Sequence, residues 1–424
     1  MTGRPVTRRK AVLGITAAAA ALARPATPRA QASGRVVVVG GGFGGAACAR
    51  ALKRARDDLH IILIEPNAVF TSCPFSNAVI AGLREIEAQQ FGYDKIAADG
   101  VTLIAQAVTM IEPERRSVMT ADGVALPYDR LVLSPGIDFH LEALPGYDAA
   151  ASEKMPHAWK AGAQTLLLRK QLDAMADGGT VAIAIPANPS RCPPAPYERA
   201  SLIAHYLKAK KPRSKVLILD AKDTFSQQRL FERAWKELYG DMIERIGLSQ
   251  GGRVTSVDSA TGTIVTEFGN YNPDVANVIP PQRAALIAEI AGAADATGWC
   301  PIDPVTFESK LVRNVHVIGD ACLGGAIPKS ASAASAQGKA CAAAIIDILA
   351  GRTPEAPRLT GVCYNVVAPT YGFSLAGSYQ PRGDIFAEVE GGATSPVDAP
   401  RELRAREASE AERWFDTITA ETFG

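Results

Sequence analysis

The segment GRVVVVGGGFGGAACARALKRARDDLHIILIEP, residues 34–66, constrains the fold more than any other part of the chain. Val36–Val39 is an unbroken β-branched run ended by glycine, the pattern of a strand buried on both faces of a parallel sheet. Gly40-x-Gly42-x-x-Gly45 follows at once, then a helical AACARALKRA and a second strand, HIILIE. In such a β–α–β unit the first glycine makes the tight turn. The second admits a pyrophosphate, and the third lets helix and strand pack closely. Phosphates belong at the helix N-terminus, where free N–H groups and the helix dipole favour negative charge. Glu65 lies 20 residues after Gly45, where a carboxylate accepts hydrogen bonds from both ribose hydroxyls. Strand, turn, helix, strand and acid in register predict a Rossmann-like site for an adenine dinucleotide lacking a 2′-phosphate.

A second unit repeats the plan. TVAIAIPA reads as a strand, YERASLIAHYLKAKKP as a helix, and SKVLILD as a strand ending at Asp220. Its connecting loop, NPSRCPPAP, has no glycines. It carries Cys192, Pro193, Pro194 and Pro196 instead. Proline has no N–H and a fixed φ, so a pyrophosphate would lack its cradle. The unit is expected not to bind a nicotinamide nucleotide.

A length of 424 residues suits two or three domains. With 45 basic against 44 acidic residues, nothing points to nucleic acid or to an anionic membrane surface. No C-x-x-C or C-x-x-C-H occurs, which excludes a zinc ribbon and a covalent c-type haem on this chain. The five histidines show no metal-ligand spacing, and His157, His205 and His316 are assigned structural roles.

Residues 1–32 read as an export signal rather than as part of the fold. They begin basic, carry Arg8-Arg9 before a short apolar run, and end in Ala30-Gln31-Ala32, a small-x-small cleavage pattern. This predicts a periplasmic protein exported by the twin-arginine route. No later segment is apolar and long enough for a transmembrane helix. Seven cysteines remain, an odd number, in a compartment that permits disulfides.

YDRLVLSPG, ending at Gly136, and VHVIGDA, containing Asp320, resemble the two later signatures of two-dinucleotide-domain flavoproteins. That resemblance makes the dinucleotide FAD. From Gly34 to Gly424 the chain further resembles the flavoprotein subunits of flavocytochrome c sulfide dehydrogenases. The motifs that carry this are SNAVI, RCPPAPYERAS, VIPPQRA, GWCPID, HVIGDA and the terminal TFG.

The resemblance implies an α/β fold in three parts. These are a Rossmann-like FAD domain (33–145 and 275–350), a degenerate, former NAD domain (146–274), and a smaller α+β C-terminal domain (351–424). It implies FAD attached through Cys73, and a redox disulfide between Cys192 and Cys363 beside the flavin, with Cys363 as the flavin-proximal thiolate. It also implies oxidation of sulfide to zero-valent sulfur or persulfide, and a c-type cytochrome partner that carries the haem. Glu198, six residues after Cys192, is placed either to handle protons at the disulfide or to sit in a surface ion pair. Cys48, Cys300, Cys322 and Cys341 are assigned to the core. Three other readings stay open: an NAD(P)H-dependent flavin disulfide reductase, a non-catalytic flavin-bearing partner of a sulfur-oxidising complex, and a purely structural Cys192–Cys363 staple.

Overall fold

Two parallel sheets organise the protein. A computed structural model describes residues 1–2 and 34–424, so the expected export signal lies, apart from its first two residues, outside the described residues. In the first sheet the spatial order is Val315–Val317, Arg130–Leu133, Arg35–Val39, His60–Ile64 and Thr102–Ile104, all parallel. Val38 pairs with Leu63 on one side and Val132 on the other. The valine run is therefore central and buried, as its unbroken apolar character requires. The helices Phe43–Ala55 and Ala331–Leu349 pack against each other beside this sheet. They approach so closely that a Cβ on Gly338 would lie 2.3 Å from the Gly44 carbonyl oxygen.

The second sheet has the order Ile243–Ile246, Lys215–Asp220, Thr180–Ile185 and Val275–Val278, again all parallel. The sequence placed the end of this unit at 274. Val275–Val278 instead pairs with Thr180–Ile185, so the chain leaves the second sheet only after Val278. A four-residue buried strand carries no signal of which sheet it joins; the pairing partner decides that.

The third part is an antiparallel meander of Leu359–Ala368, Tyr371–Arg382 and Ile385–Thr394. The C-terminal helix, Arg401–Thr422, buries Ala408, Ala411, Phe415 and Ile418. It packs on the strand Tyr371–Arg382, where a Cβ on Gly372 would come 2.7 Å from the Ala408 nitrogen. The helix thus packs on the protein. Its last turn is fixed by Arg50, which donates to the Glu421 carbonyl at 3.0 Å and places a cation at the negative end of the helix dipole. The Phe423 ring then stacks on Phe70 and Phe91, with centroids 5.1 and 5.3 Å apart. Residues 34–424 form one compact unit. Among the described residues, no helix is long and apolar enough to cross a membrane.

Candidate active site

One cavity of about 710 Å³ runs from the glycine loop of the first sheet to the proline-rich loop of the second. That volume suits a bound cofactor, for which roughly 300–1,000 Å³ is usual. At one end lie Gly40, Gly42 and Glu65. Gly40 has φ +99°, a conformation that L side chains rarely adopt. A Cβ on Gly45 would stand 1.9 Å from the Gly40 carbonyl oxygen, so helix and strand meet there only because the residue is glycine. The first helix has no acidic residue in its opening turn, which leaves its positive end free for an anion. Glu65 is held in place by N–H donors: Gly41 to Oε2 at 2.8 Å, and the Asn67 backbone and side chain to Oε1 at 3.1 and 2.7 Å. Oε1 already accepts two hydrogen bonds, and Oε2 keeps a lone pair for a further donor.

Gly136, at φ +70°, and Asp320 line the same cavity. The Asp320 Oδ1 is buried without a hydrogen-bond partner. Burial pushes its carboxyl up, against the opposing charges of Arg191 and Lys329. A buried acceptor of this kind costs free energy unless a donor reaches it. The hydroxyl-bearing chain of FAD supplies such donors, and the glycine cradle and Glu65 suit its pyrophosphate and ribose. The residues present fit FAD.

At the far end, Cys73, Cys192 and Cys363 all line the cavity. Cys73 is half-buried, and its Sγ lies 3.8 Å from the Trp159 carbonyl oxygen. Cys192 sits at φ +47°, a left-handed conformation that costs a non-glycine residue about 1–3 kcal/mol. Two backbone hydrogen bonds hold it: its N–H donates to the Lys329 carbonyl at 2.8 Å, and its carbonyl accepts from Ala195 N–H at 3.0 Å. The loop prolines were expected to deny a pyrophosphate its N–H donors. Pro194 precedes the helix Ala195–Lys210 and Pro196 lies in its first turn, where a missing N–H costs nothing. Cys363 comes from the strand Leu359–Ala368. Burial pushes the Cys192 thiol well up, and Cys363 and Glu198 add to the shift. Burial and Glu198 also raise Cys363, opposed by a hydrogen bond from Ser330. The resemblance implied Cys363 as the flavin-proximal thiolate, and among its neighbours the Ser330 hydrogen bond favours that form.

Glu198 lines the cavity from the first turn of the helix Ala195–Lys210 and, among the described residues, is in no surface ion pair. Its Oε1 accepts from Val366 N–H at 2.9 Å and its Oε2 from Asn77 Nδ2 at 2.7 Å. Burial raises its pKa to about 6, while those two donors and Arg199 pull it down.

Three residues beside these were not singled out by the sequence. Arg199 is 2% exposed and Asn77 5%. Lys329 ties the two halves of the site together: its ammonium donates to the Asp320 and Cys322 carbonyls at 2.8 and 2.7 Å, and its own carbonyl holds Cys192. Asn77 and Arg199 do fall inside SNAVI and RCPPAPYERAS, the motifs that carried the resemblance. Nothing in their spacing marks them.

Cys48, Cys300, Cys322 and Cys341 are buried, and Cys300 faces Cys322 across a short parallel bridge. Burial drives the imidazoles of His157 and His316 down to about 3 and about 4, so both are neutral packing groups.

Comparison with known proteins matches this layout. Residues 34–172 match the family described as pyridine nucleotide-disulphide oxidoreductase. Residues 165–280 match sulfide dehydrogenase (flavocytochrome c) flavoprotein chain, central. Residues 355–423 match flavocytochrome c sulphide dehydrogenase, flavin-binding. A sulfide dehydrogenase (flavocytochrome c) flavoprotein chain from Chlorobaculum thiosulfatiphilum is 56% identical over 45 residues, 11% of this chain and 94% of that sequence. The mitochondrial sulfide:quinone oxidoreductase of Mus musculus is 24% identical over 327 residues, 71% of this chain and 68% of that protein. The chain thus spans about two thirds of that protein's length. The solved sulfide:quinone oxidoreductase of Aquifex aeolicus superposes with a TM-score of 0.72 at 18% identity, covering 92% of each chain. With an α/β fold of the disulfide-oxidoreductase type, a site that fits FAD and these matches, the chain belongs to the flavocytochrome c sulfide dehydrogenase flavoprotein family and is a flavin-dependent oxidoreductase.

Proposed function

We propose that the chain oxidises sulfide at the Cys192–Cys363 pair and delivers the electrons to a c-type cytochrome subunit that carries the haem. The observation that supports this most is the meeting, at one cavity wall, of two cysteines from distant parts of the chain with an enclosed carboxylate. In the disulfide form of the pair, hydrosulfide attacks Cys192 Sγ. The S–S bond breaks and its electron pair stays on Cys363 Sγ. A second hydrosulfide attacks the outer sulfur of the Cys192 persulfide, and Cys192 Sγ leaves as a thiolate. The HSSH so formed gives a proton to Glu198 and departs as the disulfide anion HSS⁻. Two thiolates remain, and loss of two electrons restores their bond. FAD, when bound, supplies an acceptor for that electron pair and passes electrons on singly. Gly40, Gly42, Gly45, Glu65, Gly136 and Asp320 would hold it, with Cys73 as its covalent anchor.

Two features weigh against a nicotinamide reductase. The loop donors that a pyrophosphate needs are engaged, Arg191 N–H with Gln282 Oε1 and Cys192 N–H with the Lys329 carbonyl, both at 2.8 Å. Asp220, the acid after the second strand of that unit, is fully buried between Lys222 and Arg245, each at 2.9 Å.

The likeness to sulfide:quinone oxidoreductases raises quinone as the other acceptor. Anaerobic sulfide titration of the purified chain, with cytochrome or quinone added, separates the two. Rapid flavin reduction followed by cytochrome reduction is expected, and a haem protein should co-purify from the native source. Efficient quinone reduction with no cytochrome bound overturns the acceptor. Slow flavin reduction by sulfide would instead favour a non-catalytic partner.

The twin-arginine motif supports a periplasmic protein that starts near Ser33. Changing Arg8 and Arg9 together to lysine should leave the full-length chain in the cytoplasm. Normal export of that variant would exclude the twin-arginine route.

A further inference from the structure

We propose that Arg199 and Asn77 are positioning residues that hold Glu198 as a hydrogen-bond acceptor, so that this carboxylate takes a proton from the sulfur site rather than giving one. The proposal rests on the reading of the Cys192–Cys363 pair given above and adds residues which that reading does not use.

Arg199 is a buried cation without a carboxylate in ion-pair range among the described residues. Isolated buried charges are costly, so such an arginine is retained only where neutral acceptors surround it closely. Here Nε donates to Asn77 Oδ1 at 3.0 Å. The remaining bonds go to the His157 carbonyl at 3.0 Å, Asn277 Oδ1 at 2.9 Å and the Ala158 carbonyl at 2.5 Å. Asn277 is itself pinned by donating to the Pro156 and His157 carbonyls at 2.6 and 2.9 Å. The guanidinium also lies over the Trp159 ring, 5.1 Å from its centroid. Its place is fixed from several sides.

An arginine offers donors only. It therefore dictates which end of the Asn77 amide faces it: the oxygen. The Asn77 NH₂ must then face the other way, toward Glu198 Oε2 at 2.7 Å and the Ala195 carbonyl at 3.2 Å. Turning the amide over would set NH₂ against N–H and oxygen against oxygen. The other carboxylate oxygen meets Val366 N–H, which is also a donor only. Both oxygens of Glu198 are thus presented with donors, and the chain Arg199–Asn77–Glu198 reads in one direction.

The charged and titratable groups facing Glu198 come from several elements. Arg199 lies on its own helix, Arg191 and Cys192 on the preceding loop, Cys363 on the strand Leu359–Ala368, and Cys73 and Asp320 across the cavity. Burial alone would keep the acid protonated. The donors and Arg199 oppose it and leave the pKa at about 6, so the group is ionised at neutral pH. The sign is then defined. Proton acceptance needs the carboxylate, so it fails as pH falls through about 6. Removing a donor raises the pKa and moves that failure to higher pH.

The test uses holoprotein of Asn77→Leu, the near-isosteric Asn77→Asp and Arg199→Gln. Infrared difference spectra with pH, without sulfide, follow the protonated-carboxyl band that Glu198→Gln abolishes. Its midpoint should move up by roughly one pH unit in Asn77→Leu, the effect of losing one hydrogen bond to a charged acceptor, and also upward in Asn77→Asp, which adds a negative charge beside it, and in Arg199→Gln, which removes a positive one. The acid limb of sulfide-driven flavin reduction should move by the same amount. Sulfide titrates identically in all variants, so a difference between them belongs to the protein. An unmoved midpoint in Asn77→Asp and Arg199→Gln overturns the proposal, even if rates fall. Moved midpoints in the variants of a chain whose wild type does not oxidise sulfide would leave the relay standing and remove the sulfide reading instead.

Discussion

Cys192→Ser and Cys363→Ser are each expected to keep bound flavin and the fold yet lose sulfide-dependent flavin reduction by roughly a thousandfold or more, the scale seen when a covalent nucleophile or its partner is removed. A disulfide is an electrophile that selects sulfur nucleophiles, and a serine hydroxyl can neither form it nor carry a persulfide. Neither side chain carries much of the core: both line the cavity rather than the packed interior. Serine also tolerates the φ of +47° at position 192 about as well as cysteine, because the hydrogen bonds that hold it there come from backbone atoms. Stopped-flow spectra of the flavin after mixing with sulfide measure the effect. Near wild-type rates in either variant would make the pair a structural staple.

Cys73→Ser should convert a flavin that stays with the protein after acid precipitation into one that is released entirely. Such a linkage would require loss of the Cys73 thiol hydrogen and of one hydrogen of the flavin 8α-methyl group, with FAD, when bound, supplying the two-electron acceptor. Cys73 is suited to this because it is half-buried on the wall of the same cavity as Asp320 and the glycine loop. Its sulfur has only a long contact, 3.8 Å, to the Trp159 carbonyl, so no strong bond must be given up. A protein with no other anchor should then lose flavin on dilution, because the remaining contacts are reversible. Peptide mass spectrometry of the wild-type chain should find FAD on the Cys73 peptide. Complete release of flavin from the wild type would reject the linkage.

The sequence by itself determined the features that depend on neighbours along the chain. Val36–Val39, the three glycines and Glu65 lie within one β–α–β unit, so their spacing already specifies strand, tight turn, helix start and acid. The absence of glycine in NPSRCPPAP is local in the same way, and it marked the second unit as degenerate. Cys192 and Cys363 stand 171 positions apart, and no period or spacing joins them; only resemblance paired them.

Tertiary structure alone decided the rest. Asn77, Glu198 and Val366 come from three separate segments, and they meet because enclosed polar groups must find partners wherever the packed elements bring them. The direction of the Asn77 amide follows from Arg199, whose neighbours His157, Ala158 and Asn277 are set by the second sheet and the segment that leads into it. Val275–Val278 joined the second sheet by its pairing with Thr180–Ile185, because a short apolar run fits either sheet and hydrogen-bond partners choose between them. Hydrophobic pattern is a local property of the chain, whereas burial of a charge and the saturation of its donors belong to the assembled fold.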